Sequence, residues 1–343
     1  MQQRVIYDER YLGRGYDERS AVRVLTAERQ ALHDAVVRAR ESIPTSGALS
    51  LLDFAYGTGR VTNEFAVGWP GSGFEGSLRV VAYDVSAVGL EKAAAELTER
   101  HRFTVAGRLS FDPYAREGYI AGSVAQVHDE RAVSVVFVHG NEGASVGDVR
   151  TLLQKANDGQ PFAVTTSWYS GIAHIPTASR REGFFRMLGE LTDTRGEVLV
   201  APSVSGDLVE LQAEWAARLA AGQVGDHPIE RPGDVMYETE LGQQNFYHVF
   251  GTDLADLLTA ISGPGQQTWI EAIRMPDEEF ESEEAERDNY RRVLAFNDLV
   301  RHRPWSPEDY EQVHTALAVR SGHSSGAARS AADRAASSTS AAV

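Results

Sequence analysis

The sequence predicts an α/β fold, a mostly parallel sheet covered by helices on both faces with an antiparallel hairpin late in the chain. Three observations carry that expectation. Short apolar runs of strand length alternate with amphipathic segments of helix length. A glycine-containing turn follows the first run and leads into a helix. An acidic residue ends the second run.

Residues 4–27 are polar and aromatic, with Tyr-Asp-Glu-Arg at 7–10 and again at 16–19, too few copies for a structural repeat. A helix is expected from Ala21 to Arg40, where Val24, Leu25, Leu32 and Val36 fall near helical spacing; Pro44 and Gly47 end it. Leu49–Phe54 reads as a buried strand and Arg79–Asp84 as a second, separated by the Gly/Pro/Ser-rich stretch Gly68–Ser77. Leu90–Arg100 is a helix rich in Ala and Glu. Phe103–Arg131 is an insertion to which the sequence assigns no role.

Val133–Val138 and Pro161–Ser167 are the third and fourth strands. Ser179-Arg180-Arg181-Glu182 fits a capping box before the stripe Phe184, Leu188, Leu191. Glu197–Pro202 is the fifth strand, and Asp207 starts a helix striped by Leu208, Leu211, Trp215 and Leu219. Val235–Glu240 and Asn245–Phe250 form a hairpin around residues 241–244, expected to add an antiparallel edge to the sheet. A short helix striped by Leu254, Leu257, Leu258 and Ile261 leads to a last strand, Gln267–Arg274.

This order divides the chain into an N-terminal lid and helix (1–46), a catalytic domain (47–275), appended helices (276–320) and a tail (321–343). Residues 321–342 contain no aromatic, Leu, Ile or Val, so burial cannot offset their ordering entropy and disorder is expected.

A formal net charge of −16, with no clustered Lys/Arg face, disfavours a phosphate backbone as partner and favours a small-molecule substrate. No apolar run approaches the roughly 20 residues of a membrane span, and MQQRVIYDER has no apolar signal core. A cytoplasmic protein without membrane attachment is therefore expected, and a homodimer is compatible with the composition. The absence of cysteine excludes disulfides and thiolate metal sites. No His/Asp/Glu cluster has metal-ligand spacing, so no metal is expected.

The chemistry concentrates in Asp53-Phe54-Ala55-Tyr56-Gly57-Thr58-Gly59-Arg60, a strand-to-helix turn in which glycines permit close backbone approach to a ligand. Asp84 lies 31 positions after Asp53, at the end of the second strand, where a carboxylate can accept ribose hydroxyls. A dinucleotide fits poorly. The third glycine of G-x-G-x-x-G is Thr62 here, and Asp53 would repel a pyrophosphate while suiting a cation.

LLDFAYGTGR and VVAYDVSAVGLEKA resemble the first and second motifs of class I S-adenosylmethionine-dependent methyltransferases. VVFVHGNEG is similar to their third-strand end, SWYSGIAHIPTASRREGFFRMLGELTDTRGEVLVAP to the fourth strand through the fifth, and VMYETELGQQNFYHVFGTD to a late hairpin of the small-molecule branch. The resemblance spans residues 49–275 and implies a Rossmann-like, seven-stranded sheet with S-adenosylmethionine as cofactor. It implies cofactor contacts from Asp53, Tyr56, Gly57, Gly59, Asp84, Val85, Asn141, Glu142 and Trp168. Ala55 and Tyr56 stand where the family commonly has Gly and a small residue, so the Tyr56 ring is expected against the methionyl part of the cofactor.

Methyl transfer is an in-line displacement that needs positioning more than acid–base help. Trp168 and Tyr169, past the fourth strand, are placed to hold a sulfonium by cation–π attraction of about 0.5–2 kcal/mol or to fill the core. Tyr169 and His174 are the catalytic candidates, His174 as proton acceptor or as a structural histidine like His248. Ser203, Tyr11 and Tyr16 are candidate substrate contacts, the tyrosines on a lid or on a solvated terminus. The expected reaction is methyl transfer to a small molecule of specialised metabolism. Two alternatives stay open: attack at the cofactor γ-carbon with release of methylthioadenosine, as in azetidine-2-carboxylate synthases, and a non-catalytic sensor of the cofactor.

Overall fold

The computed structural model describes residues 22–43, 48–128, 131–168, 171–201, 233–238, 244–248, 250, 257, 266–273 and 317–323. The chain opens with helix α1 (Val22–Ser42), whose inward stripe Glu28, Ala31, Leu32, Ala35, Val36 and Ala39 repeats at helical spacing. β1 (Leu49–Phe54), the short helix α2 (Thr62–Gly68), β2 (Leu78–Asp84) and α3 (Ala87–Ala95) follow. Next come β3 (Thr104–Ala106), β4 (Tyr119–His128), β5 (Arg131–His139) and α4 (Val146–Ala156). β6 (Phe162–Ser167), α5 (Ala178–Leu191) and β7 (Thr192–Val200) complete the central units. β8 (Asp234–Glu238), β9 (Gln244–His248), β10 (Gln266–Ile273) and β11 (Leu317–His323) close the described chain.

The main sheet has the order β10-β11-β7-β6-β1-β2-β5-β4-β3. β5, β2, β1, β6 and β7 are mutually parallel, and β10 runs with them because β11 pairs antiparallel to both β7 and β10. These seven strands form the Rossmann-like, doubly wound sheet that the sequence predicts, with helices on both faces. The strand order reverses between β1 and β6, the position at which such sheets open a crevice beyond their carboxyl ends.

Four details differ from the sequence expectation. The insertion supplies β3 and β4, which pair antiparallel onto the β5 edge and extend the sheet to nine strands. The late hairpin forms, with Asp234 opposite His248, but as a separate two-stranded sheet rather than an edge of the main one. The antiparallel strand of the main sheet at that end is β11, across the expected boundary between appended helices and tail. Its LAVRSGH has only three apolar residues, so the strand follows from backbone pairing on both sides rather than from an apolar pattern. Finally, α5 starts at Ala178 behind Thr177 (φ 66°), without a side-chain cap. Arg181 is drawn inward by Asp234, and Glu182 pairs with Arg186 instead of closing a box. A capping box does form at Ser145 and Asp148, at the start of α4.

The helices expected around Asp207–Leu219 and within 281–316 lie outside the described residues, as do most of the expected lid and of the tail.

Candidate functional site

Side chains alternate across a strand, so Leu49, Leu51 and Asp53 on β1 share a face, as do Leu78, Val80, Ala82 and Asp84 on β2. The leucines, Val80 and Ala82 belong to the core beneath α1, α2 and α3. Asp53 and Asp84 therefore project to that same side at the carboxyl edge, where the apolar pattern stops.

Asp84 ties the two motifs together. Its Oδ2 accepts from the Gly57 backbone N–H and its Oδ1 from that of Ser86, both at 2.7 Å. Ser86 in turn caps α3, its side chain accepting from Gly89 N. Asp53 is 2% exposed; its Oδ2 accepts from the Thr62 hydroxyl at 2.5 Å, while Oδ1 is buried with no hydrogen-bond partner. The nearby Thr166 hydroxyl directs its single proton to the Leu52 carbonyl (3.2 Å). Burial pushes the Asp53 carboxyl up to about 7; the Thr62 and Thr166 hydroxyls lower it, and the charges of Asp84 and Glu28 raise it further.

The turn itself holds an unusual residue. Ala55 takes φ 68°, a region that disfavours side chains, and Gly57 and Gly59 also have positive φ. Gly171, just beyond β6, packs so closely that a Cβ there would overlap the Ala55 methyl. A Cβ on Gly59 would meet the Tyr56 ring at 2.6 Å.

That contact corrects the expectation for Tyr56. Its ring is buried in the core under the turn, edge-on to Phe137 with centroids 6.3 Å apart, and its hydroxyl donates to Asn63 Oδ1. Burial and then the Asp53 charge hold its pKa well above the ordinary tyrosine value. The side chain supports the turn and does not line the crevice, because the core below Gly59 accepts the apolar ring.

Trp168 takes the core-filling place that the sequence offered as one of its two alternatives. It packs in the core at 5% exposure, yet its indole Nε1–H is buried without a hydrogen-bond partner. Ser167 Oγ, at the same strand end, is also buried without one. Buried polar atoms are almost always hydrogen-bonded, and three exceptions fall at the ends of β1 and β6. Donor (Trp168), acceptor (Asp53) and hydroxyl (Ser167) fit the polar groups of a nucleoside amino acid.

At the other side of the crevice Val85 presents its carbonyl to His139 Nε2–H at 3.0 Å, which fixes that ring beside Tyr119. Asn141 donates to the Arg116 carbonyl and accepts from Gly143 N, so its amide holds the insertion loop against the end of β5. Glu142 accepts through its backbone carbonyl from Arg180. The structure thus brings Asp53, Gly57, Gly59, Asp84, Val85, Asn141, Glu142 and Trp168 to one edge of the sheet.

His174 ends a short 3-10 turn, Gly171–His174, after β6. Its Nδ1–H donates to the Phe246 carbonyl of β9 at 3.0 Å, and Tyr247 packs edge-on to the ring. This bond makes Nε2 the acceptor of the neutral ring. Tyr169, Ser203, Tyr11 and Tyr16 lie outside the described residues.

Sequence reasoning missed two features. Asp234 accepts from Arg181 Nη2 at 2.8 Å and from His248 Nδ1–H at 2.7 Å, and all three side chains are buried. This triad fastens the β8–β9 hairpin to α5, which gives His248 a structural role. The other is Glu28, 1% exposed within the inward stripe of α1; a carboxylate in an apolar helical stripe was a legible signal.

No protein-family model matches the chain, and no curated protein does. Among solved structures, the chain is similar to an S-adenosylmethionine-dependent methyltransferase from Methanosarcina mazei (10% identity, 85% of this chain and 96% of that one, TM-score 0.43). It is also similar to one from Clostridium acetobutylicum (9% identity, 93% and 100%, TM-score 0.43). The plantazolicin methyltransferase BamL gives 12% identity, 92% and 89% coverage, and a TM-score of 0.44.

No described helix is long and apolar enough to cross a membrane, and among the described residues no His/Cys/Asp/Glu group is arranged to hold a metal.

Proposed function

We propose that the chain binds S-adenosylmethionine at the carboxyl edge of β1, β2 and β6 and transfers its methyl group to a small-molecule acceptor. The observation that carries this reading is the pair Asp53 and Asp84: two buried carboxylates on one face of the crevice, joined by the glycine turn. Such a crevice repels a pyrophosphate and suits a nucleoside that carries positive charge.

When bound, the cofactor supplies a methyl group already activated by its sulfonium. The residues of the chain position and shield. Asp84, held in place by the backbone N–H groups of Gly57 and Ser86, is the residue that would accept the ribose hydroxyls. Asp53 contributes charge under the turn, where exclusion of water strengthens its attraction for a cation. His174, with Nδ1–H committed to Phe246, accepts through Nε2 the proton that a hydroxyl or amine acceptor loses. The acidic chain, with no clustered basic face, favours a small acceptor over nucleic acid.

The cyclising alternative draws on Tyr56 and on the pair Trp168-Tyr169 as aromatic walls of the cofactor site; the burial of the Tyr56 ring in the core weakens the first of these supports, and Tyr169 lies outside the described residues. Incubation of the purified protein with S-adenosylmethionine, first alone and then with pooled small-molecule acceptors, tests the reading. We expect calorimetric binding, intact cofactor in the first arm and S-adenosylhomocysteine in the second. Methylthioadenosine in the first arm would replace methyl transfer by cyclisation; binding without turnover would leave a sensor; no binding would sink the reading.

A further inference from the structure

We propose that Arg180 and the Tyr83 hydroxyl form a subsite for a carboxylate, so that the acceptor of the methyl group is a small organic acid. This rests on the methyl-transfer reading above and names the class of its substrate.

The subsite lies across the strand ends from Asp53 and Asp84. By strand alternation Phe54 and Tyr83 point to the opposite face, the one covered by α4 and α5. β6 leads into α5, so the first turn of that helix stands at the carboxyl edge, and Arg180 is its third residue. Arg180 Nη2 donates to the Glu142 carbonyl and, at 2.9 Å, to that of Ala144. Its guanidinium lies over Phe184, 5.6 Å from the ring centroid. Phe184 tilts against Phe54 (5.3 Å), and Phe54 stacks on Tyr83 at 4.9 Å with the rings 8° from parallel. The Tyr83 hydroxyl reaches the loop that Arg180 grips, since a Cβ on Gly140 would overlap it. The Arg180 charge acts on that hydroxyl.

Neither group is used up by the fold. The two carbonyls and the Phe184 face hold the guanidinium in place, but they do not neutralise it. Among the described residues no carboxylate pairs with Arg180, whereas Arg181 and Arg186 of the same helix pair with Asp234 and Glu182. The first turn of a helix carries the positive end of its dipole, so an unpaired cation there is unfavourable until an anion joins it. Tyr83 is 3% exposed, yet its hydroxyl makes no hydrogen bond among the described residues. Burial, and then the Asp84 charge, hold its pKa above the ordinary tyrosine value, so the hydroxyl keeps its proton and donates. A fixed cation and a proton donor on one face complement an oxyanion. One uncompensated positive charge matches a carboxylate better than a phosphate dianion. An anionic acceptor is also drawn towards a sulfonium, which a cationic one would oppose.

The test titrates benzoate and its neutral isostere benzamide into the full chain by calorimetry, with and without saturating S-adenosylhomocysteine. Wild type should bind benzoate at least tenfold more tightly than benzamide. Arg180→Gln should lose that preference, weakening benzoate at least tenfold and benzamide less than twofold. Arg180→Lys, which keeps the charge, should restore part of it. Tyr83→Phe keeps the stacked ring and covers the case in which the Arg180 variants do not fold: it should weaken benzoate at least threefold and leave benzamide within twofold. No preference in wild type, or an unaltered preference in Arg180→Gln or Tyr83→Phe, would overturn the subsite. Matched pools of hydroxy and amino acids and their methyl esters then test the acceptor class. S-adenosylhomocysteine should form from S-adenosylmethionine with the acids, and turnover of the esters at the same rate would overturn the assignment. A benzoate preference with no methyl transfer to either pool would instead remove the methyl-transfer reading.

Discussion

The backbone N–H of Gly57 points at Asp84 Oδ2, 2.7 Å away, so the turn after β1 is held by the residue that ends β2. The two sequence motifs are one structural unit. Asp84→Ala removes two charge-assisted acceptors at once and is expected to lower stability by about 2–3 kcal/mol. It should weaken S-adenosylmethionine at least tenfold, read by urea unfolding and by calorimetry. Unchanged affinity would detach the end of β2 from the cofactor.

The raised pKa of Asp53 sets a pH dependence. An acid whose pKa rises from 3.8 to about 7 on folding holds its proton in the native state and loses it in the unfolded one. Its contribution to stability is complete below about pH 4, declines as pH rises towards 7, and is flat above. Asp53→Asn removes this slope. Relative to wild type, the variant should gain on the order of 3 kcal/mol between pH 5 and pH 8, measured by urea unfolding at both values. A constant difference would place the Asp53 pKa near its ordinary value.

A bound cation favours the ionised Asp53, so at pH 6 binding of S-adenosylmethionine should release a proton, and at pH 8 it should not. Calorimetry in two buffers of different ionisation enthalpy reads the proton directly. Equal proton counts at the two pH values would mean that the ligand charge does not reach Asp53.

Ala55 and Gly171 are coupled by contact. Gly171→Ala should destabilise the protein and impair binding, because the new methyl overlaps that of Ala55. Ala55→Gly relieves the left-handed backbone by about 1 kcal/mol and vacates the space. The double variant should therefore recover most of the loss. A double-mutant cycle with no coupling energy would refute the contact.

Tyr56→Phe separates support from recognition. Loss of the hydroxyl leaves Asn63 Oδ1 without that donor and should lower stability by about 1–2 kcal/mol. Affinity for the cofactor should stay within twofold, because the ring lies beneath the turn. A tenfold loss of affinity without loss of stability would return Tyr56 to the ligand.

The sequence by itself determined the alternation of β1, β2, β5, β6 and β7 with helices, the two motifs and the end of the sheet at which they meet. Those are local properties: Leu49–Phe54 and Arg79–Asp84 can be nothing but buried strands, and Gly57 and Gly59 must terminate the first of them. Only the tertiary structure decided what depends on distant partners. β11 forms because β7 and β10 offer it backbone on both sides, although its residues show no strand pattern. The aromatic ring of Tyr56 suits a ligand and a core equally well in sequence; the space under Gly59 selects the core. Arg181, Asp234 and His248 lie up to 67 positions apart, and Glu28 lies 25 before Asp53. Local pattern fixes which side of an element is buried, but only the packing of one element on another determines which buried charges meet.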